Sequence, residues 1–306
     1  MPYNIYLINS RGVELELVTP YYRFRDIDGI GMPEVQHLEE EYAQQDGATY
    51  LGTRLAKRII LMRFDLVLDT EAELWNARKA LAQIAKAFES GFKIRMALPN
   101  GDVRQLDARY SGQLTMPRNL EQHDRQQTAV MECVCHNPLW YDPTGVLWMF
   151  AVSGGDGDYG WEPDGLGWPA GFGASAAVGA QETFRYLGSW KAYPLITLRG
   201  PMTEPIITNH ITGDVLEFIP GFSLDEGETV EIDLQINSRG QRPLTVIHSV
   251  DGEIPDALTD DSDLGSWHIA ADPEAVDGNN IISVAFTGGN YLSRVEMRFY
   301  NQSEAV

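Results

Sequence analysis

Side chains able to serve as nucleophile, general acid or metal ligand are spread along this chain, and their spacing decides which chemistry is available. Ser175 lies in Gly173-Ala-Ser-Ala-Ala177, close to a nucleophile elbow. The second glycine is missing and no strand precedes it, so the sharp strand-to-helix turn that exposes such a serine is not encoded. Gly154-Gly-Asp-Gly-Asp158 is similar to one calcium-binding glycine/aspartate repeat, but it occurs once and Tyr159 stands where the next Asp belongs. Asp260, Asp261 and Asp263, with Gly265, offer hard oxygens for calcium without the glutamate an EF-hand loop requires. Cys133 and Cys135 are two apart on a strand pattern, so they share a face and are poorly placed to bond to each other. With only His136 nearby they make no zinc set, and the expectation is plain buried thiols. A glycosidase carboxylate pair depends on a separation that sequence does not supply. Trp161, Trp168, Trp190 and Trp267 could form a sugar-stacking platform, or could be half-buried anchors of a linker and a core, which is the favoured account. No Walker, Rossmann or His-Glu-x-x-His pattern occurs. The expectation is therefore no catalytic residue, no metal and no cofactor.

The elements that would position these groups are mostly strands. Arg58 to Leu68 is an apolar run that settles into alternation at Phe64, Leu66 and Leu68. Thr70 stands three residues before Glu73, a capping box, and Leu74, Ala77, Leu81, Ile84 and Phe88 make one helical stripe that Ser90-Gly91 ends. Phe92 to Leu98 alternates again, Pro99-Asn-Gly-Asp102 turns it into Val103 to Tyr110, and Gln127 to His136 is a further strand. Residues 4 to 18 read as a hairpin around Asn9-Ser-Arg-Gly12. Tyr21 to Thr53 is charged, glycine-bearing and weakly periodic, too long for an ordinary connector and so functional or mobile.

Val146 to Val152 is strand-like, and residues 153 to 181 are glycine-rich, which reads as a linker. From Glu182 short strands follow one another between turns, among them Tyr193-Leu198, Pro205-Asn209, Thr229-Gln235, Leu244-His248, Trp267-Ala270, Asn280-Phe286 and Arg294-Tyr300. That spacing predicts a β-sandwich or jelly roll.

The chain has 306 residues, 43% of them hydrophobic, with 23 Lys and Arg against 44 Asp and Glu for a net charge of -21. Such a chain folds, has room for two cores, and is ill suited to grip nucleic acid or an anionic membrane, because that binding rests on basic side chains. Met1 to Asn9 lacks a basic and apolar leader, and no run of about 18 apolar residues exists, so neither an export signal nor a membrane span is expected.

A strand ending in Asn137-Pro-Leu-Trp-Tyr-Asp-Pro143 after a lone helix and a hairpin resembles the N-terminal domain of phage distal tail proteins. Gln45-Asp46-Gly47-Ala48 is similar to the Asp-Gly element before that family's long strand, in the part of the chain that reaches a neighbouring subunit; Asp46, Gly47 and Ala48 are thus the interface candidates. Gly188-Ser-Trp-Lys-Ala-Tyr193-Pro194, Gly200-Pro201, Pro205-Ile-Ile-Thr-Asn209 and Thr212-Gly213 look like the entry to the family's galectin-like second domain. Asp277-Gly-Asn-Asn280 matches its later turn less well, since Asp277-Gly278 replaces a more usual Pro-Gly.

The resemblance implies a mainly β protein: an N-terminal β-sandwich or split barrel with one α-helix over residues 1–152, and a galectin-like β-sandwich of jelly-roll type over 182–306. It further implies a non-enzymatic virion protein of the tail tip, made in the host cytoplasm and closed into a homo-hexameric ring. Its neighbours would be the tail tube protein, the tail hub or tail-associated protein and receptor-binding proteins, with no gripping of nucleic acid and no membrane. A carbohydrate-binding adhesin and a glycoside hydrolase with a β-sandwich appendage are the rival readings.

Overall fold

The computed structural model describes residues 4–43, 46–85, 91–116, 125–151, 178–290 and 292–306. It divides into two compact units: residues 1–143 with 237–240 and 303–306, and residues 144–236 with 241–302.

The first unit contains β1 (Asn4–Asn9), β2 (Glu14–Glu16), β3 (Tyr22–Asp28), β4 (Val35–Glu40), β5 (Thr49–Leu55), β6 (Arg58–Val67), α1 (Glu71–Ala85), β7 (Phe92–Ala97), β8 (Val103–Thr115), β9 (Gln126–Cys135) and β10 (Trp140–Tyr141). The main strand path runs β2-β1-β7-β8-β9-β6-β3. One strand carries it across two sheets: Val103 to Ala108 of β8 pair with β7, whereas Arg109 to Thr115 pair with β9 past an irregularity between Tyr110 and Leu114. A bulge of this kind bends a strand and increases its twist, which lets one long β8 serve both halves of a sandwich. The path does not close on itself, so the first unit is a split sandwich with a helix, not a barrel.

Its core follows from period-two alternation. Ile60, Met62, Phe64 and Leu66 of β6 are fully buried, and the first three stand opposite Cys133, Met131 and Ala129 of β9. Leu74, Ala77, Leu81 and Ile84 of α1 belong to the same apolar cluster. The helix starts where the capping box puts it: the Thr70 hydroxyl accepts from the Glu73 amide at 3.3 Å, and the Glu73 carboxylate accepts from the Thr70 amide at 3.0 Å. Two orphan amides are thereby satisfied. The far end of the expected stripe, Phe88 and Ser90, lies outside the described residues.

The second unit contains β11 (Val146–Ala151), β12 (Val178–Arg185), β13 (Leu195–Arg199), β14 (Met202–Asn209), β15 (Val215–Glu217), β16 (Ser223–Leu224), β17 (Thr229–Asp233), β18 (Thr245–His248), β19 (Gly252–Glu253), β20 (Asn279–Thr287) and β21 (Arg294–Phe299). One sheet is ordered β11-β21-β13-β17-β18-β19 and the other β12-β20-β14-β15, with β16 beside β14. Their inner faces share one core that includes Ile196, Val230, Met297 and Phe299 from the first sheet and Phe184, Ile207, Val284 and Phe286 from the second. This is the antiparallel sandwich expected from the strand spacing. The chain as a whole is mainly β with one α-helix among the described residues.

Three sequence expectations are redrawn. Val146 to Ala151 pairs with β21 in the second unit, so the first unit's continuous stretch stops at Pro143 and not at residue 152. Strand pairing also resumes at Val178, inside the stretch read as linker, while the glycine-rich Gly154–Asp158 and Ser175 lie outside the described residues. Trp267–Ala270 is not a strand: Ile269 makes an isolated bridge to Ala192 and the segment is held by side chains instead. The buried Asn280 accepts from the Ala270 amide at 2.9 Å and donates back to the Ala270 carbonyl at 2.8 Å, doing for this segment what a ladder would do. The turn ahead of Asn280 depends on Gly278, whose φ is +73° and where a Cβ would come within 2.1 Å of the Tyr186 carbonyl oxygen.

Candidate functional site: a hairpin arm and its root

β4 and β5 form a two-stranded sheet of their own, and among the described residues they pair only with each other. Neither strand contributes a buried residue. An isolated hairpin is marginal in water, and this one is held by cross-strand side chains: Arg54 donates to Gln36 at 3.1 Å, His37 meets the Thr53 hydroxyl at 3.1 Å, and the His37 and Tyr50 rings meet edge to face. It nevertheless exposes Val35, Leu38, Tyr50 and Leu51, the last two by 62% and 60%, with Met32 and Tyr42 beside them. Exposed apolar side chains on a strand pair that, among the described residues, joins no other sheet are the pattern that makes this arm a candidate interaction surface. Asp46, Gly47 and Ala48, the residues singled out by sequence, sit in the turn of this arm, all exposed.

The root of the arm is built on one buried cation. The Arg58 side chain, at the start of β6, donates from Nη1 to the carbonyls of Gly29 (2.6 Å) and Gly31, from Nε to Pro138 (2.7 Å) and from Nη2 to Glu304 (2.5 Å). Only 3% of the residue is exposed, and burial pulls its pKa below the ordinary arginine value. The planar, forked guanidinium suits this role, since one side chain can satisfy carbonyls arriving from several directions. Gly29 completes the root: its φ is +90° and a Cβ there would lie 2.0 Å from the Ile59 carbonyl oxygen, so the chain can pass this close only as glycine. The Val306 amide also donates to the Ile30 carbonyl at 3.3 Å.

Among the described residues the chemical candidates do not converge on a cleft. Cys133 and Cys135 are buried in the first core, as their shared face requires. Burial pushes both thiols up, Cys135 to about 12, which leaves them protonated and inert. Asp263 spends one carboxylate oxygen on the Val215 amide at 2.9 Å, and among the described residues no group of three His, Cys, Asp or Glu side chains could hold a metal ion. Trp267 is fully buried in the second core and offers no ring face to a sugar; Trp190 is half-buried beside an isolated bridge to Gln302. Trp161 and Trp168 lie outside the described residues. The sugar platform is therefore corrected for Trp267: the inner position of the sandwich needed a large apolar ring. Among the described residues no helix is long and apolar enough to cross a membrane.

Comparison with solved structures places this geometry. The SPP1 Dit (gp 19.1) protein, described as a paradigm of the hub adsorption apparatus in phages that infect Gram-positive hosts, aligns over 98% of both chains with a TM-score of 0.58 and 13% identity. The chain has the fold of a phage distal tail protein. A chain of the phage P2 baseplate, solved in its activated conformation with Ca, aligns over 100% of both chains with a TM-score of 0.50 and 10% identity. In sequence, 121 residues are 28% identical to the minor tail protein Gp27 of Mycobacterium phage D29; the match takes in 38% of this chain and 35% of that relative's length. No family model matches.

Sequence reasoning set the segment apart but missed that it folds as a hairpin, and it missed Arg58. A hairpin with no buried face has no alternation to detect, and an arginine at a strand entrance looks like any other. The one usable signal was the length of the weakly periodic stretch.

Proposed function

We propose that this protein is a structural component of a phage tail tip, or of a tail-derived particle, that closes into a hexameric ring joining the tail tube to the baseplate or tail hub. The observation that carries the reading is the β4–β5 arm: a hairpin that, among the described residues, pairs with no other strand and contributes no buried side chain while exposing Leu38, Tyr50 and Leu51. A surface of this kind reaching from each copy to a different patch on the next makes a heterologous contact, and such contacts close into rings when the rotation between copies closes. The distal-tail fold of the solved tail proteins supports the same reading, as does the stretch resembling a minor tail protein. In this role the first unit forms the ring and the sandwich decorates it. The chain acts by assembly and not by catalysis, in the virion, with tail tube and tail hub proteins as neighbours.

The test is the mass of the purified full chain by light scattering and mass photometry, with negative-stain images of the same sample. Six-fold rings are expected. A monomer at all concentrations up to tens of micromolar, with and without the neighbouring tail proteins, overturns the proposal.

A further inference from the structure

The arm needs a receiving surface, and one face of α1 has the complementary chemistry. Trp75 is 52% exposed on this helix, with the Arg78 guanidinium 4.3 Å above its ring centroid. Together with Lys79, Ala82, Leu114 and Met116 they line a groove of about 440 Å³ between the helix and the end of β8. Glu71 borders it, accepting from the Trp75 indole N–H at 3.4 Å. A basic and aromatic groove stands out in a chain with a net charge of -21. The arm is its converse: Glu34, Glu39, Glu40, Glu41 and Asp46 against the single base Arg54, interleaved with exposed Leu38, Tyr42, Tyr50 and Leu51.

We infer that the α1 groove receives the β4–β5 arm of a second copy of this chain. Among the described residues Trp75 of the groove and Leu38, Tyr50 and Leu51 of the arm stay exposed within one copy, so the arm of that copy does not cover its own groove and a second copy is the occupant whose charge and apolar pattern match. Trp75 and Arg78 supply the kind of anchor that dominates interfaces, a half-exposed aromatic and a planar cation already stacked and so partly pre-ordered. Lys79 and Arg78 set the register by pairing with the glutamates of the incoming strand. The inference rests on the ring reading above and names the surface that the ring would use.

A charge-swap cycle tests it on the full chain, with assembly followed by mass photometry against concentration. The variant Arg78→Glu with Lys79→Glu, and separately Glu40→Lys with Glu41→Lys, should each raise the concentration needed for assembly by about tenfold or more. Combining the four substitutions should bring it back to within about threefold of the parent. Lys79, Glu40 and Glu41 are exposed and Arg78 is half-buried, and an unchanged circular dichroism melt confirms that each variant folds; Trp75→Ala, at an exposed position, should weaken assembly without reversing any charge. If the reversals assemble like the parent, the groove serves some other occupant and the inference fails while the ring reading stands. A combination no better than either reversal also overturns it, and a parent chain that never assembles removes both.

Discussion

The Arg58 guanidinium carbon lies 5.8 Å from the centroid of the fully buried Trp140 ring, with the remaining edges of the cation turned to main-chain carbonyls. Cation and ring together tie the start of β6 to the segment before β10 and to Gly29 and Gly31, from which the arm departs. Replacing Arg58 with Met removes the donor from the main-chain carbonyls of Gly29, Gly31, Pro138 and Glu304 and should cost about 2 kcal/mol, the scale for losing hydrogen bonds made by a charged group. Urea unfolding of the full chain measures it; a loss under about 0.5 kcal/mol would mean water takes over the carbonyls freely.

Burial also acts on Asp107, whose pKa is raised chiefly by desolvation, against the lowering effects of Lys93 and of the Tyr141 hydroxyl that donates to it at 3.3 Å. The folded state then holds its proton more tightly than the unfolded chain, so this carboxyl makes stability fall as pH rises from the ordinary aspartate value through the raised one. Asp107→Asn keeps an oxygen acceptor for Tyr141 and removes the titration. It should be at least as stable as the parent at pH 7, with its advantage shrinking as pH falls through the raised value and gone by the time pH is below the ordinary aspartate value. Melting curves over pH 3 to 8 check this; a variant less stable at pH 7 contradicts it.

The thiols give a separate check on the first core. With the Cys135 pKa near 12, its thiolate fraction at pH 8 is on the order of 1 in 10,000, and Cys133 is raised as well. Neither should react with a thiol reagent such as Ellman's until denaturant is added. Prompt reaction of either in the native chain would place β9 differently from the packing described.

At the helix start, Thr70→Ala removes the side chain that caps the Glu73 amide. The expected loss is about 1 kcal/mol, read as a lower denaturation midpoint with unchanged slope. Ser in place of Ala should recover most of it.

What the sequence disclosed follows from what was buried. The Thr70 and Glu73 spacing, the β6 alternation and the hairpin turn at residues 99–102 each express a local rule that the fold obeys, so they could be read directly. β3 was lost because the bulge between Phe24 and Asp26 breaks the alternation that Tyr22 and Phe24 begin. Val146 to Ala151 was recognisable as a strand, but alternation says nothing about which sheet takes it, and β21 lies over 140 residues further on. The interface candidates Asp46, Gly47 and Ala48 came from resemblance alone; they lie in the turn between β4 and β5. Arg58 had no local signature because every group it contacts arrives from another part of the chain.

The most direct measurement is the mass of the full chain beside a variant whose arm, residues 35 to 55, is replaced by a short Gly/Ser loop. The account predicts six copies in a ring for the parent and a folded monomer for the variant. A parent that stays monomeric, or an armless variant that still forms the ring, would contradict it.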